Sequence, residues 1–124
     1  IAAVLWHQGE SDVPLMAATV YQRKLDRLID DIRARYGEDL PFLLGQMVPE
    51  EMADSHKDYS AIDAVHIDTP NRRARTAFIN GPVGYINGGE DRHYNAAGQR
   101  ELGRRMWATY REMCADRLAG YASA

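Results

Sequence analysis

Two short, nearly unbroken apolar runs constrain this chain most: Ile1–Trp6 (IAAVLW) and Pro41–Met47 (PFLLGQM). A continuous run of small and branched apolar residues fits a strand buried on both faces, as in a parallel sheet. The stretch between the two runs has the other periodicity. Tyr21, Leu25, Leu28, Ile29, Ile32 and Tyr36 recur every three or four residues, with Arg23, Lys24, Asp30, Asp31 and Arg33 opposite them, which predicts an amphipathic helix. Gly37 follows the last periodic residue and suits its C-terminal cap. Strand, helix and strand in that order predict an α/β layered fold.

Downstream the pattern is less regular. Residues 48–59 are polar and rich in breakers and read as a loop. Ser60–Val65 reads as a short helix, and His66–Thr69 as a short strand closed by Pro70. Residues 72–80 are ambiguous, with TAFI as a strand. NGPVGYINGGEDRHYN is a long glycine-rich loop. Asn95 then suits an N-cap, and Leu102, Met106, Tyr110, Met113 and, at the far end, Leu118 form the stripe of a last helix. Ala119 and Gly120 mark its end. There is no internal repeat, and the 124 residues read as one domain.

An apolar fraction of 45% and a charged fraction of 27% are those of an ordinary globular protein with a modest core, and argue against whole-chain disorder. The net charge of -3, with basic residues spread over helical faces, argues against nucleic acid or an anionic membrane as the main partner. Arg72, Arg73 and Arg75 are the one basic cluster and read as a solvated loop rather than an anion site. No apolar run has the roughly 18 residues of a spanning helix. The single cysteine, Cys114, excludes an intrachain disulfide and reads as a core or boundary residue late in a helix. His7, His56 and His66 lack metal-ligand spacing, so no metal is expected. Trp6 reads as core.

Two clusters carry chemistry. HQGESD, at the end of the first run, stands where α/β sheets place ligands, beyond the carboxyl ends of their strands. Gln8 supplies neutral amide donors. Glu10 can be a general base, an orienting carboxylate or an ion-pair partner, and Gly9 lets the backbone turn tightly between them. Equally, HQGE fits a turn with a helix-capping acid, and Ser11 and Asp12 fit local backbone capping. The second cluster is GGEDRHYN. His93 lies just before the N-cap, with Asp91 and Glu90 two and three residues upstream, where either carboxylate can fold back onto the ring and fix its tautomer. A lone loop histidine is otherwise a surface residue.

Taken together, WHQGESD, YQRKLDRLIDDIR, LPFLLGQM and DRHYNAAGQRELGRR resemble the SGNH-hydrolase superfamily, in its sialate O-acetylesterase-like and acetylxylan-esterase-like branch (carbohydrate esterase family 6). The likeness covers nearly the whole chain and is weakest from about Glu50 to Pro82. It implies a flavodoxin-like three-layer α/β/α sandwich with a mostly parallel sheet. It also implies cofactor-free removal of acetyl groups from carbohydrates through an acyl-enzyme, in a secreted or periplasmic setting. His93 matches the family's catalytic histidine. Gln8, with Gly9 beside it, matches the oxyanion-hole motif, and Glu10 matches a triad or supporting carboxylate. The family's aspartate three residues before the histidine is here Glu90, with Asp91 one closer, so Glu90, Asp91 and Glu10 all stand as partners for His93. The family's Gly-Asp-Ser nucleophile block is absent: Ser11 is not in its position, and Ser55 and Ser60 have no nucleophile elbow. The expectation is that this block precedes Ile1 and that the chain is the C-terminal part of the domain. Alone, the chain would then be inactive and would associate through an exposed apolar edge. The alternative is a non-catalytic carbohydrate-binding module of the same fold.

Overall fold

The computed structural model describes residues 1–53, 57–89 and 92–122. Three strands, β1 (Val4–Trp6), β2 (Phe42–Gly45) and β3 (Thr76–Ile79), pair in parallel in the order β1-β2-β3. Val4 lies opposite Phe42 and Trp6 opposite Leu44, while Phe42 lies opposite Thr76 and Gly45 opposite Ile79. The helices are α1 (Ala18–Tyr36), the single turn α2 (Pro49–Met52), α3 (Ser60–Arg72), α4 (Ala96–Met113) and α5 (Ala115–Ala122).

β2 is buried along its whole length, as its unbroken apolar run requires. Phe42 and Leu44 face Tyr21, Leu25 and Ile29 of α1 and Ile62 and Val65 of α3. Leu43 faces Leu102 and Met106 of α4, with Ile79 and Tyr94. Helices thus cover both faces of a parallel sheet, the α/β/α layering that the sequence predicts. Gly37, at φ +127°, ends α1 and donates its N–H to Arg33 O. Asn95 caps α4, accepting from the Gly98 N–H at 2.9 Å. Among the described residues, no helix is long and apolar enough to cross a membrane.

Several expectations are corrected. β1 is an edge strand, buried on one face only. Val4 and Trp6 pack on the α1 side, whereas Leu5 is 60% exposed. Leu5 lines an apolar groove of about 290 Å³ with Ala2, Ala3, Met106 and Trp107, because α4 sits over β2 and β3 and leaves β1 uncovered. The strand expected at His66–Thr69 is part of α3, which runs past Pro70 to Arg72. Ile62, Val65, His66 and Thr69 are all buried, at helical spacing, and that packing overrides the β-branched composition. Pro70 stands in the last turn, so the helix ends soon after losing its donor. The loop at 48–59 contains α2, and Ala119 and Gly120 lie inside α5 rather than ending a helix. Cys114 is buried at the junction of α4 and α5.

The arginine cluster is not a solvated loop. Arg72 makes a forked pair with the buried Asp26 of α1, at 3.1 Å for its nearest contact, and also reaches Asp68 at 2.8 Å. Arg73 forks onto Asp30 of α1 at 2.8 Å. These pairs bolt α3 to α1. Arg72→Leu leaves the Asp26 carboxylate with only the Arg73 guanidinium, 3.8 Å away, and is expected to cost about 3 kcal/mol, read as a lowered urea midpoint. Arg73→Leu, whose partner Asp30 is exposed, is expected to cost less than about 1 kcal/mol.

Candidate functional site

Parallel strands send all their carboxyl ends to one rim, and each ends there in polar residues: His7–Glu10 after β1, Gln46 after β2 and Asn80–Gly81 after β3. The Gln46 carboxamide joins two of these ends. Its Oε1 accepts from the Gly81 N–H at 2.9 Å, and its Nε2 donates to Asp63 Oδ2 of α3 at 3.4 Å. Burial pushes the Asp63 carboxyl up, and the Gln46 hydrogen bond opposes it.

The loop after β1 is held by close approach. Gly9 has φ +148°, and a Cβ there would lie 2.9 Å from Met47 Sδ and 3.1 Å from His66 Cε1. The glycine therefore provides more than a turn: it lets the backbone rest on α3 and on the end of β2. Next to it, Gln8 Nε2 donates to Asp12 Oδ2, and Gln8 Oε1 accepts from Tyr21 Oη at 3.1 Å. Glu10 Oε1 lies 3.8 Å from His7 Nε2, outside hydrogen-bond range. Gln8, Asp12, Trp6 and Tyr21 share a cavity of about 300 Å³ on the α1 side.

The loop carrying His93 reaches the same rim from the far end of the chain. The His7 ring stacks on Tyr94, with centroids 5.5 Å apart and planes at 28°. Ile86 bridges Tyr94 in antiparallel fashion, and Asn95 N–H donates to Tyr85 O at 2.7 Å. Gly98 admits Tyr85 against α4, since a Cβ there would lie 2.7 Å from Tyr85 Cβ. Arg92 reaches the buried Glu51 of α2 at 3.3 Å, and Glu51 also accepts from Tyr59 Oη. Burial raises the Tyr94 phenol, as do Glu50 and Glu10, so both carboxylates lie within electrostatic reach of it.

The structure therefore brings His7 against Tyr94, the neighbour of His93, with Glu10 3.8 Å from His7. His93 itself is exposed on the loop, and among the described residues none from that loop lines the Gln8 cavity. Glu90 and Asp91 lie outside the described residues, as do Ser55 and His56. Ser11 is exposed, and Ser60 Oγ donates to Asp58 at the start of α3. Among the described residues, no three His, Cys, Asp or Glu side chains converge as a metal site.

Residues 1–112 match the family model of carbohydrate esterases described as sialic acid-specific acetylesterase. The chain belongs to that family. Comparison with curated proteins found no match. The HQGE segment and the loop carrying Arg92 to Asn95 are the two loops that the His7–Tyr94 stack joins.

Residue-level reading of the sequence did not single out His66, Tyr21, Gln46, Glu51 or Arg92 for the site. His66 and Tyr21 are buried beneath Gln8, with Tyr21 Oη 2.7 Å from His66 Nε2. The available signal was the three-and-four spacing from Ile62 to Thr69, which puts His66 on the packed face of a helix rather than in a strand.

Burial, with His7 and Arg72 nearby, pushes the His66 imidazole down to about 4. The unfolded chain binds that proton near the ordinary value of 6.5, the folded chain only near about 4. The unfolded state is therefore the more protonated between these values. The His66 contribution is complete above about pH 6.5 and is lost as pH falls to about 4, by up to about 3 kcal/mol. The expected result is a urea midpoint that falls across that window in the wild type and falls less steeply in His66→Gln. Gly9→Ala combines strain with the contacts on Met47 and His66 and is expected to cost about 1–3 kcal/mol in the same measurement.

Proposed function

We propose that this chain carries the base and oxyanion side of a serine esterase site that removes acetyl groups from carbohydrates, sialate or xylan O-acetyl esters among them. The observation that carries this reading is the His7–Tyr94 stack, which sets the Gln8–Glu10 loop beside the His93 loop at the carboxyl rim of a parallel sheet. The family match supports the ester chemistry. In this reading His93 takes the proton of a serine hydroxyl as it attacks the acetyl carbonyl, then returns it to the departing sugar oxygen. Glu10, Glu90 or Asp91 orients the imidazole. Gln8, with the backbone at Gly9, faces the oxyanion. A neutral amide donates there without a competing charge, and one such donor is commonly worth about 3 kcal/mol.

The nucleophile is a serine from a Gly-Asp-Ser block, which these 124 residues do not contain. The second reading is a module that binds carbohydrate without hydrolysing it. Hydrolysis of a chromogenic acetate ester separates the two. A longer gene product containing the block is expected to turn over. His93→Ala should lower its kcat by about 10²–10⁴-fold, and Gln8→Ala by about 10²–10³-fold. Turnover undiminished in His93→Ala would rule the assignment out. The 124-residue chain alone is expected to show no turnover above background, and an acyl group trapped on Ser11 or Ser60 would contradict this placing of the nucleophile.

A further inference from the structure

Beneath Gln8 lies a line of polar groups that the ester chemistry leaves unused. His66, on α3, is fully buried; its Nε2 is 2.7 Å from Tyr21 Oη, and its Nδ1 has no hydrogen-bond partner. Tyr21 Oη lies 3.1 Å from Gln8 Oε1 and 3.3 Å from Gln8 O. Gln8 Nε2 bonds to Asp12 Oδ2. Trp6 Nε1 is also buried and has no hydrogen-bond partner among the described residues.

Proton placement along this line is forced. Asp12 is a carboxylate and only accepts, so the Gln8 amide nitrogen must face it and Gln8 Oε1 must face Tyr21. Both Gln8 atoms near Tyr21 Oη are then acceptors, so the phenol proton points at Gln8. The 2.7 Å contact behind it is satisfied only if His66 donates from Nε2, which leaves Nδ1 as a bare lone pair. The other tautomer would bury an N–H at Nδ1 with no acceptor and set oxygen against oxygen at Gln8, and orphaned buried donors are the rarer defect.

We infer that His66 and Tyr21 are positioning residues for Gln8, forming a one-way relay from His66 Nε2–H to Tyr21 Oη–H to Gln8 Oε1. The relay fixes the amide plane with one Nε2 hydrogen on Asp12 and the other uncommitted, ready for a substrate oxygen. Asp12 holds the nitrogen end of the carboxamide and the relay holds its oxygen end. Catalytic use of that hydrogen rests on the esterase reading; the relay itself does not.

The direct test needs no activity. A long-range ¹H–¹⁵N correlation spectrum of the 124-residue chain, with His66 assigned by its loss in His66→Gln, is expected to show a protonated Nε2 and a bare Nδ1. An Nδ1–H tautomer overturns the relay. In a longer gene product with esterase activity, Tyr21→Phe removes only the hydroxyl. It is expected to lower kcat about 10–100-fold with KM within about twofold, and His66→Gln, whose amide can still donate, should retain more activity than His66→Leu. Gln8→Ala is the control that separates the two ideas. If it leaves turnover intact, the oxyanion role of Gln8 is wrong while the tautomer still decides the relay. If Gln8→Ala is crippled and a folded Tyr21→Phe matches wild type, the positioning role is overturned.

Discussion

β2 is hydrogen-bonded on both edges and buried on both faces, and the other elements take their places from it. Its parallel pairing with β1 and β3 fixes the direction of both. Parallel strands need crossovers, and α1 and the α2–α3 segment provide them. Its two faces then separate the helices, with Phe42 and Leu44 holding α1 and α3, and Leu43 holding α4. One consequence is chemical: all three strands end at the same rim, so loops far apart in sequence converge there.

Convergence alone does not aim a side chain. The Gln8 loop is held from below by contact of Gly9 with Met47 and His66, and from the side by Asp12 and Tyr21. The His93 loop is held by Asn95, Arg92 and the packing of Tyr85 over Gly98. The His7–Tyr94 stack then joins the two. Much of this support comes from α3, bolted to α1 through Arg72 and Asp26. The same helix supplies Asp63 to Gln46 and His66 to Tyr21, so its placement affects two strand ends at once.

Legibility followed the strength of local patterns. α1 and α4 were readable because their stripes are long and their ends carry Gly37 and Asn95. β2 was readable because a run buried on both faces has no polar interruption. α3 was misread where Val65–Thr69 mixes β-branched and polar residues ahead of Pro70. Local propensity there favours a strand, while contacts with Phe42, Leu44 and α1 decide for a helix. The arginine cluster was misread because its carboxylate partners on α1 lie more than forty residues upstream. The HQGE and HYN loops stand out by their residue types, but nothing local in either announces the other.

By itself the sequence determined the layering, the parallel sheet, the caps and the two polar loops, because each depends on neighbours within a few residues. Tertiary structure alone decided that His7 meets Tyr94, that β1 keeps Leu5 exposed, and that His66 lies buried beneath Gln8 rather than in a strand. Those outcomes turn on which helix covers which part of the sheet. That choice is made by side-chain shape and buried polar pairing across long separations, and no periodicity along the chain records it.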